Sequence, residues 1–489
     1  MRFGLPEDII TKLNQVFEAN PKVDKAFIFG SRAKGNYRPD SDIDITIKGS
    51  DITLDDILKM QVAFEEKDIN FKIDLVHYDT IKEKALIEHI DRVGIEIYSR
   101  WKECKLGELV DLNCRTIGKD YQYDTIEYLD TGSITQNKIE GYQYFKINQI
   151  PSRARRLVQT NDIIYSTVRP IQRHYGFIEN PNPNLVVSTG FVVITAKQEK
   201  ANSKYLYYWL SSDDVVGFLD SIAEGSTSAY PSLRPDDINQ LDITVPPLSE
   251  QTFIAEILSS LDNKIDLLHR QNKTLEQLAE TLFRQWFDSE EWTGTLSEYI
   301  KVQGGYAFKS KDFQENGFAG IIKIKNISMG MIDITHTDFV DENVIKNIDK
   351  RFKIKSGDFL IAMTGAEIGK IGIVEKTEKE IWLNQRVGKL EAKVPFGDLI
   401  GYLALKSREG QEHILNACAG SAQENISSSG IEEMSFPAYN KERTNSIGNE
   451  LQPLFQKIIF NQGQIRTLTQ IRDVLLPKLM SGEVRVKTI

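Results

Sequence analysis

Three cysteines, Cys104, Cys114 and Cys418, and six scattered histidines show no ligand spacing in 489 residues. That excludes a disulfide framework and argues against structural zinc, and it suits a reducing cytoplasm. No apolar run approaches the roughly 18 to 20 residues that cross a bilayer. The start, Met1-Arg2-Phe3-Gly4-Leu5-Pro6, lacks the apolar core of a signal peptide. No membrane partner is therefore expected. After residue 100 there is no Asn-Pro-Pro-Tyr/Phe, no Gly-rich S-adenosylmethionine loop and no GxxxxGK[ST] phosphate loop. Methyl transfer and nucleotide-driven work by that part are excluded, and it has no intrinsic cofactor.

Positive charge is also in deficit: 60 Lys and Arg against 70 Asp and Glu, a net −10. Phosphate binding needs local positive charge, so a uniformly basic surface is ruled out. The deficit is uneven, because basic residues cluster at Arg153-Ala154-Arg155-Arg156, from Arg169 to His174, and from Lys301 to Lys311.

What the chain does have, it has twice. Thr160-Asn161-Asp162-Ile163-Ile164-Tyr165 answers Ser356-Gly357-Asp358-Phe359-Leu360-Ile361 at an offset of 196, and Tyr205-Leu206-Tyr207 answers Tyr402-Leu403-Ala404 at 197. Gly225-Ser226 answers Gly420-Ser421 at 195. A duplication of this length predicts two similar units in one frame. Residues 1 to 100 have no second copy.

Each copy runs into a helical pattern. After Val245-Pro246-Pro247-Leu248, with Ser249 as expected N-cap, apolar positions alternate steps of four and three: Ile254, Leu258, Leu261, Ile265, Leu268, Asn272, Leu275, Ala279, Leu282 and Trp286. Adding 193 gives Ile447, Leu451, Leu454, Ile458, Asn461, Ile465, Leu468, Arg472, Leu475 and Leu479. Seams this regular indicate a coiled coil. Antiparallel pairing with matched seam ends brings Asn272 to Asn461, whereas parallel pairing sets each amide against an apolar residue. An unpaired buried amide is costly, so antiparallel register is expected. The second exit, Phe436-Pro437-Ala438-Tyr439-Asn440-Lys441-Glu442, lacks Pro-Pro and Glu-Gln, and predicts a less sharply started helix.

In the first hundred residues, Lys25-Ala26-Phe27-Ile28-Phe29 stops at Gly30-Ser31, and Asp42-Ile43-Asp44-Ile45-Thr46-Ile47 alternates with period two. The isoleucines then face a core while Asp42 and Asp44 share the other side. Phe71-Lys72-Ile73-Asp74-Leu75-Val76 repeats the alternation. On adjacent strands, three carboxylates converge, a pattern suited to Mg²⁺, and the Gly-Ser turn offers donors to a triphosphate.

Gly30-Ser31-Arg32-Ala33-Lys34-Gly35 through Ser41-Asp42-Ile43-Asp44 resembles the minimal nucleotidyltransferases of the DNA polymerase β superfamily. The resemblance implies metal-holding, catalytic roles for Asp42, Asp44 and Asp74, nucleotide binding by Gly30, Ser31 and Arg32, and, in an active domain, Mg²⁺ with an NTP substrate. Residues 101 to 489 resemble the specificity subunit of type I restriction-modification enzymes. That resemblance is carried by Gly107-Glu108-Leu109, Asp162-Ile163-Ile164-Tyr165-Ser166, the Pro246-Pro247-Leu248-Ser249-Glu250-Gln251 helix start, Gly304-Gly305-Tyr306-Ala307-Phe308-Lys309-Ser310 and Leu476-Pro477-Lys478-Leu479-Met480-Ser481-Gly482.

The expected fold is α+β and multidomain: a small α/β nucleotidyltransferase-like domain at 1–100, target-recognition domains at 101–247 and 292–439, and spacer helices at 248–291 and 440–489 forming an antiparallel coiled coil. The family resemblance implies double-stranded DNA and two methyltransferase subunits as partners, with restriction subunits as a further option. Candidate DNA contacts are Arg153, Arg155, Arg169, Arg173, Ser226, Thr227 and Tyr230 in the first copy. In the second they are Lys309, Lys325, Thr364, Arg386, Ser421 and Gln423. Arginine toward guanine, Asn or Gln toward adenine, and Lys, Ser or Thr toward phosphate are the chemical grounds. The alternative reading is an enzyme first: a Mg-dependent nucleotidyltransferase acting on a protein or RNA hydroxyl, with the duplicated half as targeting module.

Overall fold

The computed structural model describes residues 2–226, 230–287, 289–328, 330–418 and 425–485. The chain forms two compact units, Met1–Ile257 with Leu476–Ile489, and Leu258–Leu475.

The first unit begins with α1 (Glu7–Ala19), β1 (Val23–Ile28), α2 (Gly30–Lys34), β2 (Ile43–Gly49), α3 (Leu54–Glu66), β3 (Ile73–His77), α4 (Lys84–Val93) and β4 (Ile95–Ser99). The sheet order is β3-β2-β1-β4, with β2 and β3 parallel and the other pairs antiparallel. Period-two alternation buries Ile43, Ile45 and Ile47 in a core shared with Leu13, Val16 and Phe17 of α1 and Met60 and Phe64 of α3. Thr53 and Asp56 close a capping box at the start of α3.

The two repeats fold alike, strand for strand. In the first, one sheet runs Gln143–Lys146, Thr125–Leu129, Leu185–Ser188, Ala154–Leu157, and the other Tyr175–Phe177, Ile163–Ser166, Phe191–Ala196, Val110–Leu112. In the second, the corresponding orders are Asp338–Val340, Ala319–Ile322, Ile381–Leu383, Lys353–Ile354, and Ile371–Ile373, Phe359–Ala362, Val387–Ala392, Ile300–Gly304. The parallel pair falls at the same place in both, Leu185 with Glu127 and Ile381 with Gly320. One difference is local: the hairpin Ile327–Ser328/Met331–Ile332 extends the second copy's larger sheet, whereas Ile134–Thr135/Lys138–Ile139 stands alone.

The equivalence reaches single hydrogen bonds. Asn161 N–H donates to Ile178 O at 2.9 Å, and Gly357 N–H to Val374 O at 2.9 Å, both from left-handed backbone (φ +71° and +87°). Beside each turn, an aspartate receives a backbone N–H: Asp162 Oδ2 from Gln159 at 2.8 Å and Asp358 Oδ2 from Lys355 at 2.9 Å. Burial raises both carboxyls above the ordinary range. The cost of burying them is offset by the loop donors they satisfy, which is why Asn-Asp and Gly-Asp recur at this offset.

Two helices of 40 residues follow, Leu248–Phe287 and Lys441–Met480, each roughly 60 Å long at about 1.5 Å per residue. The first begins two residues earlier than Ser249 as N-cap requires. Leu248 directly after Pro246-Pro247 is already helical, so Ser249 lies inside the first turn. The second finds its own cap, Asn440 Oδ1 accepting from Arg443 N–H at 3.0 Å, and does not need the Pro-Pro exit.

Within the second unit the two helices pair antiparallel. Ile265, Leu268, Ile465 and Leu468 form one buried cluster. Asn461 Nδ2 donates to Asn272 Oδ1 at 2.8 Å and to Gln271 Oε1 at 2.9 Å, and both asparagines are buried. Arg472 reaches Asp262 at 3.1 Å. Phe283 and Phe287, off the seam, pack with Phe436 in the second repeat's core. In the first unit, Arg485 joins three segments: its guanidinium bonds Glu250 Oε1 at 2.9 Å, pairs with Asp24 at 3.1 Å, and lies 5.0 Å from the centre of the Trp101 ring.

Replacing Asn461 alone by leucine strands the Asn272 amide opposite hydrocarbon, at a cost of about 1–3 kcal/mol. The double change Asn272→Leu/Asn461→Leu should recover most of it. Urea unfolding of the three proteins measures this, and equal losses for single and double variants would exclude a coupled pair.

Candidate functional site

The N-terminal site grows from one register. Phe29 N–H donates to Asp44 O at 2.9 Å, and β2 and β3 set Asp44 directly beside Asp74. Gly30 follows at φ +71°, and a Cβ there would collide with the Asp44 carboxylate. Glycine is therefore required twice over, by backbone and by space. Gly30 and Ser31 open α2, both half-buried.

The cation in this site is a lysine. Lys72 Nζ lies 3.0 Å from Asp42 Oδ2 and 3.2 Å from Asp74 Oδ1. Asp44 receives no such partner: burial, then repulsion from Asp74 and Asp42, raises its carboxyl. Among the described residues, no group of three or more Asp, Glu, His or Cys side chains is arranged to hold a metal ion. The three carboxylates do come together as expected: Asp44 lies beside Asp74 on paired strands, and Lys72 bridges Asp42 and Asp74. Lys72, two residues before Asp74, shares its side of the chain and neutralises two of the three. The alternation that places Asp74 on that side of the strand carries Lys72 with it.

The structure gives Arg32 a place of its own. Expected to bind nucleotide, its side chain is 1% exposed. It donates to Ser41 O at 2.6 Å, Asp42 O at 3.1 Å and Phe3 O at 3.1 Å, with the guanidinium 4.9 Å from the Phe71 ring centre. It is a clamp that holds the turn leading to Asp42 against α2.

In each repeat, three turns meet at one junction. In the first, Thr167 N–H donates to Gly190 O at 2.9 Å, Leu233 N–H donates to Thr167 O at 2.8 Å, and Val168 bridges Ser232. In the second, Met363 N–H donates to Arg386 O at 3.0 Å, Ile426 N–H donates to Met363 O at 3.0 Å, and Thr364 bridges Asn425. Candidates fall around these junctions. Arg169 is exposed, 6.0 Å from the centre of the Tyr230 ring, and Ser226 accepts from Ser232 N–H at 3.3 Å. Arg153 is exposed and its carbonyl receives Thr189 N–H at 2.8 Å; Arg155 is exposed on the adjoining strand. Thr364 and exposed Arg386 sit at the second junction, and Lys309 is exposed beside the 3₁₀ turn Ser310–Asp312.

Two candidates are already engaged. Arg173 pairs with Asp213 at 2.7 Å, and Lys325 with Asp338 at 3.1 Å. Those carboxylates compete with any phosphate or base for the same charge. Thr227, Ser421 and Gln423 lie outside the described residues.

One asymmetry was not legible beforehand. Arg169 and Arg173 have φ +47° and +58°, and the equivalent residues of the second copy are Gly365 and Gly369, at +74° and +80°. Such backbone costs a side-chain-bearing residue roughly 1–2 kcal/mol. Arg173 is half-buried and paired with Asp213, whereas Arg169 carries the strain at an exposed position.

The family model for the type I restriction modification DNA specificity domain matches residues 98–277 and again 289–470, well over half of the chain. The chain belongs to that family. A second model, polymerase β nucleotidyltransferase, matches residues 11–103. The chain is 23% identical over 462 residues to the type I restriction enzyme HindI specificity subunit of Haemophilus influenzae, covering 79% of this chain and 100% of that one. It is 25% identical over 387 residues to the MjaIX specificity subunit of Methanocaldococcus jannaschii, covering 73% and 87%. The solved S subunit of a type I restriction-modification system from M. genitalium aligns at 19% identity and TM-score 0.49, over 80% of this chain and 97% of that one. Specificity-family architecture thus occupies the duplicated part, with a nucleotidyltransferase domain at its N-terminal side.

No described helix is long and apolar enough to cross a membrane. For the N-terminal site, the raised carboxyl of Asp44 sets a sign. Its contribution to stability is full below the unfolded pKa of about 3.9 and is lost as pH rises through the folded value. Asp44→Asn should therefore raise the melting temperature at pH 7, with the gain vanishing near pH 3.5. A gain that persists unchanged at acid pH would refute the electrostatic account.

Proposed function

We propose that this chain reads a bipartite DNA sequence for a type I restriction-modification complex, each repeat taking one half-site. The paired long helices serve as the platform on which methyltransferase subunits dock, two being the number that matches a duplicated frame. The reading rests on one observation above all: the three-turn junction is built twice, hydrogen bond for hydrogen bond, while the residues displayed around it differ. Duplicated scaffold with divergent display is what two different half-sites require. Arg153, Arg155, Arg169, Ser226 and Tyr230 are the proposed contacts of the first copy, and Lys309, Thr364 and Arg386 those of the second. Arg173 and Lys325 join them only by exchanging their carboxylate partners, and Thr227, Ser421 and Gln423 remain candidates on the sequence pattern. The absence of methyl-transfer motifs assigns that chemistry to the docked subunits, in the cytoplasm where the genome is reached, with restriction subunits completing a nuclease-bearing assembly.

Methylation mapping with the co-purifying methyltransferase tests the proposal. A motif of two short specified parts around an unspecified spacer is expected, and exchanging residues 293 to 438 for those of a relative should change one part only. A change in both parts would defeat two independent readers.

The second reading, nucleotide transfer to a protein or RNA hydroxyl, is favoured by Gly30 and Ser31 standing against the Asp44–Asp74 pair. NTP and Mg²⁺ belong to it as substrate and cofactor, and Asp42, Asp44 and Asp74 are the residues that would hold the metal, where the Lys72 ammonium now supplies the positive charge. Labelled ATP, CTP, GTP or UTP with Mg²⁺ and the co-purifying subunits gives the assay. Label transferred by the wild type and lost on Asp42→Asn supports an enzyme; no label on any component leaves the domain a structural appendage.

A further inference from the structure

The turn junction carries an exchange that the family likeness does not record. Aligned by their shared hydrogen bonds, Gly190 of the first copy stands where the second has Arg386, and Gly365 of the second stands where the first has Arg169. The equivalence is independent of side-chain identity. Gly190 N–H donates to Ser188 Oγ at 3.2 Å as Arg386 N–H donates to Asn384 Oδ1 at 3.3 Å, and Gln172 N–H donates to Arg169 O at 2.9 Å as Ile368 N–H donates to Gly365 O at 2.9 Å. The two turns are tied together by Thr167 N–H to Gly190 O in one copy and Met363 N–H to Arg386 O in the other. Each junction therefore presents an exposed arginine, from opposite sides of the same backbone contact.

The reciprocal glycines have physical causes. A Cβ at Gly190 would stand 2.8 Å from Thr131 Cγ2, so a side chain in the first copy's sheet-to-sheet turn would have to displace Thr131. Gly365 takes the left-handed backbone at no steric cost, whereas Arg169 holds the same conformation with a full side chain. Where Thr131 crowds the sheet-to-sheet turn, the arginine comes from the strained turn instead. Arg386 needs no strain, because its backbone is not left-handed.

We propose that Arg169 and Arg386 are equivalent specificity residues, each reading a guanine in its own half-site through the bidentate guanidinium contact to O6 and N7. This rests on the DNA-reading function above. Because the two side chains leave the junction from different turns, the guanine takes a different place within each half-site.

The test is methylation mapping of the full chain with its co-purifying methyltransferase, using R169G and R386G. Each installs the residue that the other copy already carries there, and R169G also removes a strained conformation, so the fold is kept. Loss of discrimination on the order of ten-fold or more at one G·C pair is expected, in one half for R169G and in the other half for R386G. R169K and R386K keep the charge and lose the fork, and should relax the same pairs. Uniformly weaker methylation with an unchanged motif would mean phosphate contact and overturn the proposal, as would a motif indifferent to all four variants. A wild-type methylome without a bipartite motif overturns the function itself and this inference with it.

Discussion

A single buried amide pair sets the register on which the long helices depend. Asn461 and Asn272 sit in a seam that is apolar but for them and Arg472, and the bond from Nδ2 to Oδ1 at 2.8 Å exists in one alignment only. A slip by one heptad would leave two amides facing leucine or isoleucine, each at the cost of an unsatisfied buried group. Hydrocarbon alone would tolerate that slip, since Ile265, Leu268, Ile465 and Leu468 are interchangeable in volume. The polar pair supplies uniqueness and the apolar seam supplies stability. Arg472 with Asp262 adds a second polar match in the same register.

The repeats show what duplication preserves and what it releases. Preserved are sheet order, the parallel pairing of Leu185–Ser188 with Thr125–Leu129 and of Ile381–Leu383 with Ala319–Ile322, and aspartates that accept backbone N–H groups beside left-handed turns. Each aspartate takes up a backbone N–H of its own turn, so a substitution there loosens the turn. Released are the exposed turns. Arg169 and Gly365, Gly190 and Arg386 differ because side chains there meet solvent, and only backbone strain or a neighbour such as Thr131 restricts the choice. A reader of sequence needs that division, a constant frame with variable display.

The N-terminal domain obeys a different constraint. Its carboxylates are brought together by strand register, and charge so concentrated requires compensation. Lys72 supplies it for Asp42 and Asp74, and Asp44 is left with a raised carboxyl. Arg32, fully buried, spends its donors on three backbone carbonyls, which ties the turn before Asp42 to α2. The family pattern made Arg32 look like a ligand residue because a Gly-Ser-Arg run is read along the chain, whereas burial is decided by what folds over it.

The chain's own periodicities determined the strands of the first domain, the two-copy plan, both long helices and the antiparallel meeting of Asn272 with Asn461. All of these follow from local repeat or from the cost of an unpaired buried amide, and neither needs coordinates. Tertiary structure alone decided which charges were already taken: Arg32 by carbonyls, Arg173 by Asp213, Lys325 by Asp338, and Asp42 and Asp74 by Lys72. It also decided that Arg169 holds left-handed backbone while Arg386 does not. Partners distant in sequence, and the sign of φ at a turn, are settled by packing, and packing is not written in any local pattern.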